Sequence, residues 1–154
     1  MEYMVVKWLH ILSSTLLFGT GIGSAFYMFF VSLSRDVRAI AVVARYVVLA
    51  DWVFTTPTII IQPLTGFYLI HLAGYPLTSS WILWSIVLYF VAGACWLPVV
   101  WLQIKMHGFA RAAVQSNTVL PAIYWRYLRI WVLLGIPAFA SLVIVFYLMV
   151  AKPA

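Results

Sequence analysis

Four apolar stretches organise the chain. Trp8 to Ser34 is 27 residues without a charge, more than the roughly 20 that a membrane-crossing helix needs. From Trp52 to Ile104, 53 residues pass with no Asp, Glu, Lys or Arg. That is enough for two spans and a turn, and the turn is visible as Ala73-Gly74-Tyr75-Pro76-Leu77-Thr78-Ser79-Ser80, rich in breakers and small polar residues. The last run, Ile130 to Ala151, covers 22 residues and stops at Lys152-Pro153. The pattern predicts an all-α fold, a four-helix transmembrane bundle with helices near 6–33, 44–72, 80–105 and 127–151 in a single domain over 1–154.

Polar positions inside those runs are regularly placed. In the second helix Asp51, Thr55, Thr58, Gln62 and Thr65 follow steps of 4, 3, 4 and 3 and share one stripe. In the third, Trp81, Ser85, Tyr89, Trp96 and Gln103 form a comparable stripe. A polar group facing lipid is costly, so both stripes are expected to meet in the bundle interior. Interhelical hydrogen bonding alone accounts for such residues; a polar path through the bundle is the functional alternative. Pro57, Pro63, Pro98 and Pro137 fall inside helices, where each frees a carbonyl or bends the chain, and nearby threonine hydroxyls can satisfy the freed groups.

The first helix has two faces. Thr15, Gly19 and Gly23 make a small-residue ridge suited to close approach by a second copy or a membrane-complex partner. Nearly opposite lie His10, Ser13, Ser14, Leu17, Thr20, Gly21 and Ser24, a face that fits a flat macrocycle or a neighbouring helix. His10 is either a hydrogen-bonded packing residue or a ligand. His71 ends the second helix at the interface, and His107 follows the third. Asp51 is the one acid near a span; an ion pair with Arg45 or a helix N-terminal charge is the plainer role, proton carriage the sharper one.

Composition agrees with the pattern. The chain is 66% hydrophobic and 8% charged, with a mean hydropathy of +1.09. Soluble domains carry roughly 45–50% and 25%. A soluble chain of 154 residues has no means of hiding so much apolar surface, which excludes a cytosolic enzyme and a disordered chain. The net charge of +6 does not signal nucleic acid, because the basic residues flank apolar runs and face anionic lipid. Seven of the nine lie in or near the segments 35–45 and 105–129, leaving Lys7 and Lys152 at the other end. The positive-inside rule therefore predicts a multi-pass protein of the bacterial cytoplasmic (inner) membrane with both termini outside. Tryptophans 8, 52, 81, 84, 101, 125 and 131 fall near span ends, as in aromatic belts, and only Trp96 lies well inside. The single Cys95 pairs with nothing in the chain and reads as packing. No short hydrophobic core followed by a small-residue cleavage site is present, so no signal peptide is expected.

Lys7-Trp8-Leu9-His10, Asp51-Trp52, Gln62-Pro63-Leu64-Thr65-Gly66, Trp96-Leu97-Pro98 with Gln103, and Tyr147-Leu148-Met149-Val150-Ala151-Lys152-Pro153 resemble a bacterial family of predicted integral membrane proteins, domain of unknown function number 2269. The likeness covers essentially the whole chain. More distantly the arrangement is similar to HemJ, the membrane protoporphyrinogen oxidase, and to CopD, the copper-resistance membrane protein. That resemblance implies haem b, with His10 as axial ligand to the iron and Lys152 matching a lysine near the HemJ chain end. It departs from HemJ in lacking most of the other charged intramembrane residues. The predicted topology sets His10 and Lys152 at one depth; Met149, one turn before Lys152, would be the fallback ligand to the iron, and a snorkelling interfacial anchor is the plainer role of Lys152. Two haems with paired histidine ligands need four histidines, and the chain has three. Three readings follow. One is a haem-linked oxidoreductase acting in electron transfer or porphyrin chemistry. Another is a small permease-like transporter using Asp51, Gln62 and Gln103. The third is a cofactor-free assembly subunit.

Overall fold

The structure, a computed structural model, describes residues 1–153. Within them there are helices and connecting turns and no strands. Helix α1 runs Glu2–Ser34, α2 Val37–Ala50, α3 Thr56–Ala73, α4 Ser80–Gln115 and α5 Ala122–Ala151. A π-helical turn, Asp51–Thr55, joins α2 to α3, so the five helices make four rods. The helices α1, α4 and α5 are long and apolar enough to cross a membrane. The rod made by α2, the π turn and α3 is not among these: α3 is 18 residues long and carries Gln62, His71 and three threonines.

Contacts between the rods show that they alternate in direction. Ser32 meets Tyr124 at one end, while Glu2 meets Tyr68 and Ser80 meets Pro153 at the other. The first of these is the basic end, where Arg35-Asp36 and 116–121 link the rods; the second is the terminal end.

The helices run further at the basic end than the charge pattern indicates. The second rod begins at Val37 rather than 44, α4 continues to Gln115 rather than 105, and α5 starts at Ala122 rather than 127. Charges end an apolar run without ending backbone hydrogen bonding. Arg38, Arg45, Arg111, Arg126 and Arg129 point outward, while Ile40, Ala44 and Val47 and Met106, Ala110 and Ala113 recur at steps of 4 and 3 and are buried. The main core sits here, with Met28, Leu102, Tyr124, Leu128 and Trp131. Asp36 opens α2 by accepting from the Arg38 and Ala39 amides at 3.0 and 3.1 Å. Gly74 closes α3 at φ 68°, a left-handed position that glycine adopts without a side-chain clash.

Toward the terminal end the packing is lighter. There α1 packs along α3 and α4 along α5. Phe18 bridges α1 to α5 by stacking on Phe139 at 5.2 Å and meeting Phe146 edge-on at 5.3 Å. Along α1 a Cβ added at Gly19, Gly21 or Gly23 meets nothing within 4 Å, so the small-residue ridge is uncovered in the single chain.

Pro63 shows how the weakest rod is held. A proline lacks an N–H and leaves the carbonyl four residues earlier, here Ile59, without its helical donor. Tyr89 of α4 supplies one, its hydroxyl donating to Ile59 O at 2.6 Å. The freed group is thus satisfied across helices rather than by a local threonine. Pro57 stands in the first turn of α3, directly after the π turn, in which the Thr56 amide donates to Asp51 O. Tyr89→Phe will leave the Ile59 carbonyl without its donor and lower stability by about 1–3 kcal/mol. Thermal unfolding in detergent, monitored by circular dichroism, checks this: an unchanged midpoint shows that the bond is idle.

Candidate functional site

The polar stripe of the second rod divides between two neighbours. Its upper part turns to α1. His10, half-buried, places Nδ1 2.8 Å from Thr65 Oγ1 and Nε2 3.2 Å from Gln62 Nε2. Gly66 makes this approach possible, because a Cβ there would stand 3.2 Å from His10 Cε1. One turn lower, Ser13 Oγ donates to Thr58 O at 3.5 Å, while the Thr58 hydroxyl donates to Phe54 O at 2.7 Å. The expected meeting of the second and third helices through their stripes is therefore limited to Tyr89 on Ile59 and to the cluster around Asp51.

That cluster lies at the π turn. Asp51 is 4% exposed. Thr55 donates to its Oδ1 at 2.9 Å, and the Thr56 hydroxyl donates to its carbonyl at 2.9 Å. Gln103 of α4, oriented to satisfy both neighbours, donates its amide N–H to Asp51 Oδ2 and accepts from Trp131 Nε1 of α5 at 3.2 Å. Three rods thus share one buried carboxylate. The expected ion pair with Arg45 is not formed: Asp51 turns to neutral donors, and Arg45 is exposed. A charge at a free helix N-terminus is also ruled out, since the π turn continues α2 without a break.

Lys152, Met149 and His10 are held by different surroundings. Lys152 Nζ donates to Tyr75 Oη at 3.1 Å and sits over the Tyr75 and Trp81 rings at 4.9 and 5.7 Å. Met149 is exposed, as is His71, and His107 is half-buried in the extension of α4. Among the described residues no three His, Cys, Asp or Glu side chains gather as a metal-binding group. Ligation of haem iron by His10 needs a ring nitrogen, and both are engaged; Gln62 has to release Nε2 first. Among the described residues the side-chain atoms Gln62 Oε1 and Trp96 Nε1 are buried without a partner.

Sequence position misassigned one tryptophan. Trp131, read as interfacial, is 5% exposed, because a residue near a span end can still face inward, and Trp81, at the start of α4 and on its inward stripe, is 8% exposed. Trp131 belongs to the Asp51 cluster and no signal in α5 marks it as a donor. Gly66, by contrast, stands four residues after Gln62 and one after Thr65, where a Cβ would crowd the His10 ring at 3.2 Å.

Apolar helices carrying few charges, with their polar residues turned toward each other, define a multi-pass integral membrane protein. A family model described as a predicted integral membrane protein, domain of unknown function 2269, matches residues 4–153, and the chain belongs to that family. No curated protein and no solved structure matches it, so the likeness to HemJ and CopD gains nothing from these comparisons.

Gly66→Ala will push the His10 ring off Thr65 and Gln62 and destabilise the protein by about 1–3 kcal/mol. A cycle with His10→Ala measures the coupling: the glycine substitution is expected to cost much less once the ring is gone. Additive costs would show that the close approach does not matter.

Proposed function

We propose that this chain is a small permease-like carrier in which Asp51 takes up and releases a proton. The carrying observation is the setting of that carboxylate. It is buried, held by the Thr55 hydroxyl and the Gln103 amide, and its neighbours supply no cation. A buried carboxylate needs a counter-charge or a proton, and here the proton is the available one. Its two neutral partners suit both states. The Gln103 amide donates to the carboxylate; accepting from the carboxylic acid requires it to turn over and give up Trp131 Nε1. Thr58, Ser13, Gln62 and His10 continue the polar file along α1 and α3. The eleven-residue step from Asp51 to Gln62 covers about 16 Å, over half of a hydrocarbon layer of about 30 Å. In this reading the rods form a four-helix bundle in the bacterial cytoplasmic membrane. The basic end faces the cytoplasm and both termini lie outside, as the sorting of seven of nine basic residues supports.

Proteoliposomes holding a trapped pH-sensitive dye test this. Wild-type protein is expected to dissipate an imposed pH gradient faster than empty vesicles, and Asp51→Asn to fall to the empty-vesicle rate while keeping its thermal midpoint. Equal rates for wild type and Asp51→Asn would make Asp51 a packing residue.

A second reading, a haem b-linked redox protein, has one supporting observation. The Thr65 hydroxyl has Ile61 O within 2.8 Å; when it donates there, its oxygen accepts from His10 Nδ1–H and Nε2 keeps the lone pair that a metal uses. His10 would hold the iron after Gln62 turns away, with Met149 or Lys152 as a second ligand, and the haem would supply one-electron transfer. Protein purified after expression with haem supply is then expected to show a Soret band that His10→Ala abolishes. A negligible band in the wild type rejects this reading.

A further inference from the structure

We propose that Arg45, His107 and Arg111 form a binding site for the phosphodiester headgroup of one anionic phospholipid, at the junction of α2 and α4. Charge accounting leads to it. The chain has three acids. Glu2 accepts from Tyr68, Asp36 accepts from the Arg38 and Ala39 amides, and Asp51 is enclosed by Thr55 and Gln103. Among the described residues, then, no carboxylate is turned to Arg45 or Arg111. Arg35 and Lys105 lie over aromatic rings instead, those of Trp125 and Trp101, each at 5.8 Å. Arg45 and Arg111 are exposed, and both of their charges act on the half-buried His107.

The fold brings these three together. Ala44 of α2 and Met106 and Ala110 of α4 belong to one buried core. Their chain neighbours Arg45, His107 and Arg111 stand at the edge of that contact. Their heights agree as well. From the contact of Asp51 with Gln103 toward the basic end, residue 103 to 107 is a step of four, 51 to 45 of six and 103 to 111 of eight. Along helices these are about 6, 9 and 12 Å. A helical Cβ tilts toward the helix N-terminus. Arg45 therefore leans outward on α2, while Arg111 leans back toward the apolar layer on α4, which runs the opposite way. The two guanidinium groups converge on the level of the gap between them.

The chemistry of the three side chains selects the ligand. Each guanidinium presents paired N–H donors that match the two non-bridging oxygens of a phosphodiester, and the imidazole adds a ring N–H. Position selects a lipid over a dissolved anion. Lys105 is the first charge after the uncharged run 52–104, so His107 stands two residues beyond it, at headgroup depth. About one turn nearer the apolar layer, on the same helix faces as Arg45 and His107, are Leu49 and Ile104, both exposed. They offer an acyl chain an apolar track while its phosphate meets the arginines. None of this depends on a proton at Asp51.

Native mass spectrometry of the detergent-purified protein tests the site, with phosphatidylglycerol, phosphatidylcholine of identical acyl chains and inorganic phosphate as probes. Phosphatidylglycerol is expected to bind as one tight adduct, and phosphatidylcholine about tenfold more weakly. Arg45→Gln and Arg111→Gln should each weaken phosphatidylglycerol binding about fivefold, the loss expected for one cation at a membrane surface, and leave phosphatidylcholine binding unchanged. Arg126→Gln and Arg129→Gln, which remove the same charge from exposed positions on α5, should change it little. Equal losses from all four substitutions would reveal diffuse attraction to a basic surface and overturn the proposal. Equal binding of the two lipids would do the same, as would displacement of phosphatidylglycerol by millimolar phosphate, the mark of a site for dissolved anions.

Discussion

In hydrocarbon a polar group has no water to fall back on, and its partner must come from the protein. Much of this structure follows from that constraint, and the rod carrying most of the polar residues shows it best. Pro63 removes a helical donor from Ile59, and Tyr89 of another rod replaces it. Asp51 brings a carboxylate inside, and Thr55 and Gln103 close around it. His10 brings a ring with two nitrogens, and α3 meets both. The rod that is least apolar is thereby tied to α1 and α4 by hydrogen bonds, while α1, α4 and α5 carry the long apolar surfaces.

The two ends of the molecule are built differently for the same reason. At the basic end, Ile40, Met106 and Tyr124 are fully enclosed, with small alanines at 44, 110 and 113 allowing α2 and α4 to approach closely. The one buried hydroxyl pair there, Ser32 and Tyr124 at 2.8 Å, satisfies itself. Toward the terminal end the buried residues include Ser13, Thr58, Ser85 and Ser141, and α1 packs mainly on α3 and α4 on α5, with Phe18 and Tyr89 bridging between the pairs. The orphaned Gln62 Oε1 lies in this part. Both glutamine amides, at 62 and 103, sit beside a titratable group.

Much of this was readable before any coordinates. The 3-and-4 spacing of Asp51, Thr55, Thr58, Gln62 and Thr65 marked a polar face, because helical geometry is local and regular. The uncharged runs marked the three helices that are long and apolar enough to cross a membrane, and the resemblance to a family of predicted integral membrane proteins was matched by a family model. Other features were not readable. Helix ends at 37, 115 and 122 escaped a pattern that treats arginine as a boundary, although arginine is a good helix former that can reach outward. Trp131 as donor to Gln103, and Tyr89 as donor to Ile59, join residues 28 and 30 positions apart, and nothing local specifies either pairing.

The order of residues determined the membrane class, the sorting of charge to one end and the existence of a polar stripe. Each of these depends on composition or on a periodicity within a single helix. Only the tertiary structure decided which neighbour each polar residue faces: α1 for Gln62 and Thr65, α4 for Asp51. That choice depends on how rods distant in sequence rotate and approach, and a glycine such as Gly66, with no side chain to keep the His10 ring away, settles it where the ring meets the backbone.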